Sequence, residues 1–215
     1  MPSDHFAAMR QSIIDGAADS AAALAKEALE QGIAPLEAID KGYVLGMTEV
    51  GAQYAQHQMF LPDMLASAEA MKAAMAILEP ELKRRGGARP AAGTVVLGTT
   101  KGDIHEIGKT LVGTLLTAHG YKVHDLGVDV PSEQFAAKAR ELGADVVGVS
   151  ALLTTTMRGQ KSVVEVLDRE QLRPKVKIIV GGAPVTRQWA EEIHADGYAH
   201  DAISAVGLVQ SLIQR

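Results

Sequence analysis

The side chains best suited to chemistry lie in one short segment, residues 101–108, where Asp103 and His105 stand two positions apart. An imidazole that binds a metal usually passes its second N–H to a carboxylate, which fixes the tautomer and raises the basicity of the ligating nitrogen. An Asp-x-His pair can supply this arrangement if the loop turns back on itself. A solvated loop histidine beside a helix-capping aspartate is the alternative, and the segment by itself leaves both interpretations open.

Small residues flank this pair and recur in two other segments. Gly102 and Gly108 permit a positive φ or the close approach of another group. Residues 150–156 carry hydroxyl side chains that can line a polar slot without filling it, and Gly181-Gly182 leaves room for a flat or bulky group. Helix capping by the hydroxyls and a tight turn at the two glycines are the simpler alternatives.

All three segments follow predicted β-strands. Four short β-branched runs and a shorter fifth segment predict strands at 94–99, 123–127, 145–150, 176–180 and 197–199. Helical patterns lie at 106–119, 132–142, 156–170, 187–195 and from 201 to the end. This alternation predicts an α/β fold with a doubly wound, flavodoxin- or Rossmann-like sheet of five parallel strands. Ligands bind beyond the carboxyl ends of such strands, which is where the three segments lie.

The first part of the chain has a different composition, rich in Ala, Leu, Met and Glu, which favours three or four helices. Apolar residues recur with a helical period from Leu36 to Tyr54 and from Met64 to Leu78, and we interpret the Met residues as core-filling side chains. The charged, Gly- and Pro-bearing stretch 83–90 predicts an exposed linker. We therefore expect a helical bundle, the cap domain, over residues 1–88 and the α/β domain over residues 89–215.

Composition excludes several classes of function. The 215 residues are 47% hydrophobic, which is ordinary for a globular protein, and the net charge of −5 is unfavourable for binding nucleic acid or an anionic membrane. The absence of Cys excludes disulfides, thiolate zinc sites, iron–sulfur clusters and cysteine catalysis. No apolar run approaches the roughly 18 residues of a membrane helix and no signal peptide is evident, so we expect a cytoplasmic protein.

Taken together, the three segments resemble the signature of cobalamin-binding domains that hold the corrinoid with its own benzimidazole displaced from cobalt. The matching elements are Asp103-x-His105-x-x-Gly108, Ser150-x-Leu152 and Gly181-Gly182. The 41 residues between Gly108 and Ser150 also fit that family's spacing.

The first part of the chain extends this resemblance. Gly51, Phe60-Leu61-Pro62, the Met-rich helix and Glu79-Pro80 look like the helical cap of methionine synthase and of corrinoid methyl-carrier proteins. The similarity covers the chain from about residue 10 to the end. It is greatest to the stand-alone corrinoid proteins of methanol-, methylamine- and methoxyl-demethylating systems.

The resemblance implies roles for individual residues. His105 would be the lower axial ligand of cobalt, Asp103 would hold it, and Thr156 would extend that hydrogen-bond chain. Further cofactor-binding residues would be Gly102, Ile104, Glu106, Gly108, Ser150, Leu152, Thr154, Gly181, Gly182, Ala183 and Ala202. Tyr54 and Leu61 would cover the upper face of the corrin, although Tyr54 stands where the family has Phe.

The implied function is that of a corrinoid methyl carrier, whose cobalt, base-off and histidine-on in the methylated state, cycles between methyl-Co(III) and Co(I). A substrate-specific methyltransferase would load the methyl group, an acceptor methyltransferase would remove it, and a reductive activase would be a further partner. Whether such a subunit is itself an enzyme stays open. The alternatives are the cobalamin subunit of a carbon-skeleton mutase, which normally lacks the helical cap, and a cobalamin sensor, which needs an output domain.

Overall fold

The computed structural model describes residues 2–85 and 91–213 of the chain. Two compact units are present, Met1–Pro90 and Ala91–Arg215. The boundary that we predicted after residue 88 lies outside the described residues, as does most of the predicted linker.

The first unit is helical throughout its regular structure. Its elements are α1 (Pro2–Ile14), α2 (Ala18–Glu30), α3 (Pro35–Ala38), a π-helical turn (Ile39–Tyr43), α4 (Val44–Ala55) and α5 (Leu61–Arg84). Pro35 starts α3, as expected for a residue whose missing N–H is not needed in the first turn. The π-helical turn places Gly42 against Met9, whose sulfur would lie only 2.8 Å from a Cβ at that position.

Methionine fills much of the core of this unit. Met47, Met64 and Met71 are at most 2% exposed, which confirms their interpretation as core residues. Tyr43 is fully buried, and its hydroxyl donates a hydrogen bond to the carbonyl of Ala21 on α2. Such a bond is needed because a buried hydroxyl without a partner is costly.

The second unit is the predicted α/β fold. Its strands are β1 (Thr94–Thr99), β2 (Lys122–Asp125), β3 (Val146–Ser150), β4 (Lys177–Gly181) and β5 (Gly197–Tyr198). Its helices are α6 (Ile107–Ala118), α7 (Ser132–Leu142), α8 (Met157–Arg169), α9 (Arg187–Glu192) and α10 (Ala202–Ile213). The strands form one parallel sheet in the order β2-β1-β3-β4-β5, which confirms the predicted fold class.

Element limits differ from the prediction by a few residues where backbone conformation changes. We predicted β2 at 123–127, but the strand starts and ends earlier, and Gly127 has a φ of +85° that takes it out of the extended region. We predicted a helix at 187–195, but α9 is only six residues long and His194 has a φ of +59°. In both places a left-handed residue follows the end of the element.

The apolar core of this unit lies between the sheet and the helices α7, α8 and α9. Phe135, Val147 and Leu167 are among its fully buried members. Helices α6 and α10 cover the other face of the sheet. Within the described residues, no helix is long and apolar enough to span a membrane.

Gly182 is required by the backbone after β4. Its φ is +126°, and a Cβ there would lie 1.8 Å from the carbonyl oxygen of Ala151 in the neighbouring loop. No L-amino acid with a side chain fits here. This φ is almost restricted to glycine, and the atom that a Cβ would clash with belongs to the backbone and cannot rotate away.

We predict that Gly182→Ala lowers the free energy of unfolding by at least about 2 kcal/mol, because the strained φ and the clash with Ala151 act together. Gly207→Ala is the matched control, since a Cβ at this exposed position in α10 meets nothing within 4 Å. Alanine is the better helix former, so the control should gain up to about 1 kcal/mol. Urea unfolding of both variants measures the difference, and equal effects would contradict the prediction.

Candidate functional site

The candidate site lies where the loops after β1 and β3 meet. These strands are neighbours in the sheet, whereas the connections from them run to opposite sides, which makes this edge the switch point at which ligands bind in such folds. The loop after β1 contains Asp103 and His105, and the loop after β3 leads to Thr156 at the start of α8.

Asp103 is the centre of this site and its side chain is completely buried. One carboxylate oxygen, Oδ1, accepts hydrogen bonds from Nδ1 of His105 at 2.7 Å and from the backbone N–H of His105 at 3.1 Å. The other, Oδ2, accepts from the Thr156 hydroxyl at 2.7 Å and from the backbone N–H of Leu152 at 2.7 Å. A single carboxylate therefore joins the two loops.

These hydrogen bonds keep Asp103 ionised. Burial by itself would raise the pKa of this carboxyl, but the donors from Thr156, Leu152 and His105 outweigh that effect and hold the pKa well below its usual range. An ionised carboxylate can only accept hydrogen bonds. The Nδ1 atom of His105 must therefore carry the hydrogen in this pair.

His105 consequently offers its other nitrogen outward. With the hydrogen on Nδ1, neutral imidazole has its free electron pair on Nε2, which none of the described hydrogen bonds uses. The side chain is 47% exposed although its anchor is buried. The Asp-x-His pair is therefore formed, with an oriented imidazole that has an accessible nitrogen, and its role as a metal ligand stays a prediction.

Two residues that the sequence did not single out fix the loop around this pair. The Thr99 hydroxyl donates to the carbonyl of His105 at 2.9 Å. Asp129, in the loop after β2, accepts from the N–H of Gly102 at 2.7 Å and donates its own N–H to the carbonyl of Asp103. Asp129 could have been recognised from the sequence as a candidate site residue, because it is a polar residue that follows the end of a predicted strand.

A cleft of about 110 Å³ opens beside the pair, between the sheet and helices α6 and α10. Small residues on adjacent strands form its floor, because Gly148 lies on β3 and Gly181 at the end of β4. At Gly108, a Cβ would meet no atom within 4 Å, so glycine here leaves space within the lining. The predicted slot residues that line this cleft are Gly108, Ser150, Gly181 and Ala202.

The other predicted site residues lie elsewhere. Thr154 and Ala183 are exposed and do not line the cleft, and Gly182 supports the turn against Ala151 described above. Gly102 and Glu106 are exposed parts of the loop after β1. Tyr54 lies near the end of α4 and Leu61 at the start of α5, both in the helical unit.

Large apolar side chains are exposed close to His105 in sequence, up to the start of α6, and in the loop after β3. Ile104 and Ile107 are 75% and 81% exposed, and Leu152 and Leu153 are 38% and 44% exposed. Isolated exposed apolar residues are common, but a concentration of large ones marks a surface that binds something. Ile107 and Leu153 were missed from the sequence, where apolar residues next to helix starts resemble ordinary core positions.

An ion pair between a buried lysine and a partly exposed aspartate supports the first turn of α6. Lys109 has a side chain only 3% exposed and is paired with the Asp125 carboxylate at the end of β2. A cation near a helix N-terminus is disfavoured by the helix dipole. The pair therefore indicates that Lys109 is held there by its contact with β2, which fixes the wall of the cleft formed by α6.

Comparisons with known proteins agree with this geometry. A family model described as a B12 binding domain matches residues 93–207, and a second model with the same description matches residues 6–79. The chain is 47% identical over 206 residues to a corrinoid protein of Desulfitobacterium hafniense, covering 95% of each chain. It is 45% identical over 208 residues to trimethylamine corrinoid protein 1 of Methanosarcina acetivorans, covering 97% of this chain and 96% of the relative.

One solved structure resembles the whole chain. The methanol:cobalamin methyltransferase complex of Methanosarcina barkeri contains a chain that is 30% identical and matches with a TM-score of 0.85. The match covers 98% of this chain and 80% of that chain.

We predict that Thr156→Val lowers the free energy of unfolding by about 2 kcal/mol, since it removes a hydrogen bond to a buried charge without changing the size of the side chain. Thr155→Val is the control, because the neighbouring threonine is exposed and the same substitution there should change stability by less than about 0.5 kcal/mol. Urea unfolding of the cofactor-free protein measures both. A neutral Thr156→Val would show that Asp103 does not depend on this hydroxyl.

Proposed function

Because the chain belongs to the family of B12-binding corrinoid proteins, we propose that it holds a corrinoid and carries a methyl group between two methyltransferases. The observation that carries this proposal is the outward-facing imidazole of His105, anchored on buried Asp103 beside a glycine-floored cleft. The relatives named as corrinoid proteins and the likeness to the methanol:cobalamin methyltransferase complex support it.

The donor set fits a metal that arrives within a cofactor. Among the residues that the structure describes, no group of three or more His, Cys, Asp or Glu side chains could hold a metal ion. A metal bound through His105 must therefore bring most of its ligands with it. A corrinoid would do so, because its macrocycle would supply the other ligands and His105 would be the ligand from the protein.

The cleft fits the nucleotide tail of such a cofactor. When His105 replaces the benzimidazole at cobalt, the displaced tail needs a narrow space beside the imidazole. The cleft between the sheet and helices α6 and α10 would provide one, and Gly108, Gly148 and Gly181 line it together with the larger apolar side chains of Leu97 and Ile179. Ser150 and Asp201 add polar groups to a lining that is otherwise mostly apolar.

The protein's residues then have separate tasks. Bound cobalamin supplies a cobalt centre that accepts and donates a methyl group. His105 ligates through Nε2, Asp103 orients the imidazole and keeps the hydrogen on Nδ1, and Thr156 holds Asp103. The exposed side chains of Ile104 and Leu152 contact the apolar lower side of the corrin.

Residues of the helical unit and of two further loops would also contact the cofactor. Tyr54 and Leu61 would contact the corrinoid from the helical unit, and Thr154, Gly182 and Ala183 would contact it from the loops after β3 and β4. The partners are a substrate-specific methyltransferase that loads the methyl group, an acceptor methyltransferase that removes it and a reductive activase. The choice of methyl donor then resides in the loading partner.

We predict that the purified protein binds one cobalamin with imidazole on cobalt. The Co(II) electron paramagnetic resonance spectrum should show nitrogen-14 hyperfine coupling from His105, and His105→Ala should lose that coupling while keeping much of the affinity that the cleft provides. His194→Asn is the control, since Asn tolerates the positive φ of this exposed histidine. Unchanged hyperfine coupling in His105→Ala would exclude His105 as the ligand.

We predict that the loaded protein, after reduction, accepts a methyl group from a suitable donor and methyltransferase. Methyltransferases specific for methanol, dimethylamine and trimethylamine, each with its own substrate, are the panel to test. Methylation appears as a light-sensitive change in the absorption spectrum, and one pairing should be at least about tenfold faster than the others. Equal rates with free cobalamin and no carrier protein would contradict the carrier role.

A further inference from the structure

Gln160 is a fully buried polar residue that the proposed mechanism does not use. It lies in the second turn of α8 and is 0% exposed. Its Nε2 donates to the carbonyl of Val149 at 2.9 Å and to the carbonyl of Gly181 at 3.0 Å. Its Oε1 accepts from the indole N–H of Trp189 at 2.9 Å.

The chemistry of the partners fixes the orientation of this side chain. An indole N–H can only donate and a backbone carbonyl can only accept, so the amide oxygen faces Trp189 and the amide nitrogen faces the two carbonyls. Both amide hydrogens are then used. Gln160 therefore connects the last residues of β3 and β4 to a tryptophan at the start of α9.

These contacts lie on the opposite face of the sheet from the cleft. The side chains of Val149 and Val180 belong to the core beneath α7, α8 and α9, whereas Gly148 and Ile179 line the cleft beneath α6 and α10. Gln160 thus binds the ends of β3 and β4 from the face of the sheet that is covered by α7, α8 and α9. The carbonyls that it binds belong to Val149 and Gly181, which themselves line the cleft.

The strand ends at the cleft are places where an additional stabilising contact is expected. Glycines in strands have no side chains to pack and more backbone freedom than other residues, so they weaken a sheet locally. Filling the cleft side with larger residues would close the space for a ligand. A hydrogen-bonding side chain on the opposite face can stabilise the strand ends and leave the cleft open.

We propose that Gln160 is a positioning residue for the cleft, which fixes the ends of β3 and β4 at the spacing that the nucleotide tail of the cofactor requires. This inference rests on the proposed function. Trp189 supports the same task by orienting the amide of Gln160.

The test compares full cobalamin with dicyanocobinamide, a corrinoid that lacks the nucleotide tail. Gln160→Leu should weaken cobalamin binding by about tenfold and change cobinamide binding by less than about twofold, because only cobalamin enters the cleft. Trp189→Phe should weaken cobalamin binding by a smaller factor, about threefold, because the donors of Gln160 remain. Gln134→Leu, the same change at an exposed position on α7, should leave both affinities unchanged.

A second measurement needs no cofactor. The N–H of Ala151 donates to the carbonyl of Gly181, one of the groups that Gln160 binds. Amide hydrogen exchange at Ala151 should therefore be about tenfold faster in Gln160→Leu, whereas exchange at Val147 in the middle of β3 should not change.

The outcomes separate the two proposals. Failure of the wild-type protein to bind cobalamin would overturn the proposed function, and the exchange at Ala151 would still decide whether Gln160 fixes the strand ends. Equal losses for cobalamin and cobinamide, or faster exchange throughout β3, would mean a general effect on stability and would overturn the positioning role. Unchanged affinities together with unchanged exchange would overturn it as well.

Discussion

The arrangement of the site depends on one buried carboxylate. An ionised group without water is stable only when its oxygens are fully hydrogen-bonded, and Asp103 finds its donors on two different loops. Those loops follow β1 and β3, which are neighbours only because the sheet has the order β2-β1-β3-β4-β5. The orientation of His105 is therefore a consequence of strand order as well as of local sequence. A displacement of the loop after β3 would remove the donors of Leu152 and Thr156 from Asp103 and so weaken the anchor of the imidazole.

A second constraint arises because the sheet must leave space on one face. Gly148 and Gly181 contribute no side chains to the cleft side, where Leu97 packs over Gly148. The opposite face compensates with a dense core under α7, α8 and α9, and with Gln160 at the strand ends. This difference between the two faces accounts for the position of Gly148, on the cleft side of β3 between the core residues Val147 and Val149.

Local patterns in the sequence predicted most of the fold and the centre of the site. β-Branched runs located the strands, and Asp103 and His105 were recognisable because they are close in sequence. The contacts missed were long-range ones, such as Asp129, whose partners Gly102 and Asp103 are 26 or more positions away. The sequence could have indicated a structural role for Gln160, because this residue lies on the buried stripe of α8 with Val163 and Leu167, where a polar side chain needs hydrogen-bond partners. The short α3 and the π-helical turn could not be distinguished from one continuous helix in the sequence, because the helical period of the apolar residues continues through both.

The distribution of exposure suggests how holding a cofactor can be separated from ligating its metal. His105 contributes one nitrogen, whereas the exposed side chains of Ile104, Ile107, Leu152 and Leu153 offer apolar area around it, and the cleft offers more. Burial of apolar surface contributes about 25 cal/mol per Å², so a few hundred Å² would contribute several kcal/mol to the affinity independently of the bond to the metal. Under the proposed function, the affinity then resides mainly in contacts that do not change during methyl transfer. His105 could then bind and release the metal while Asp103 holds the imidazole in one orientation.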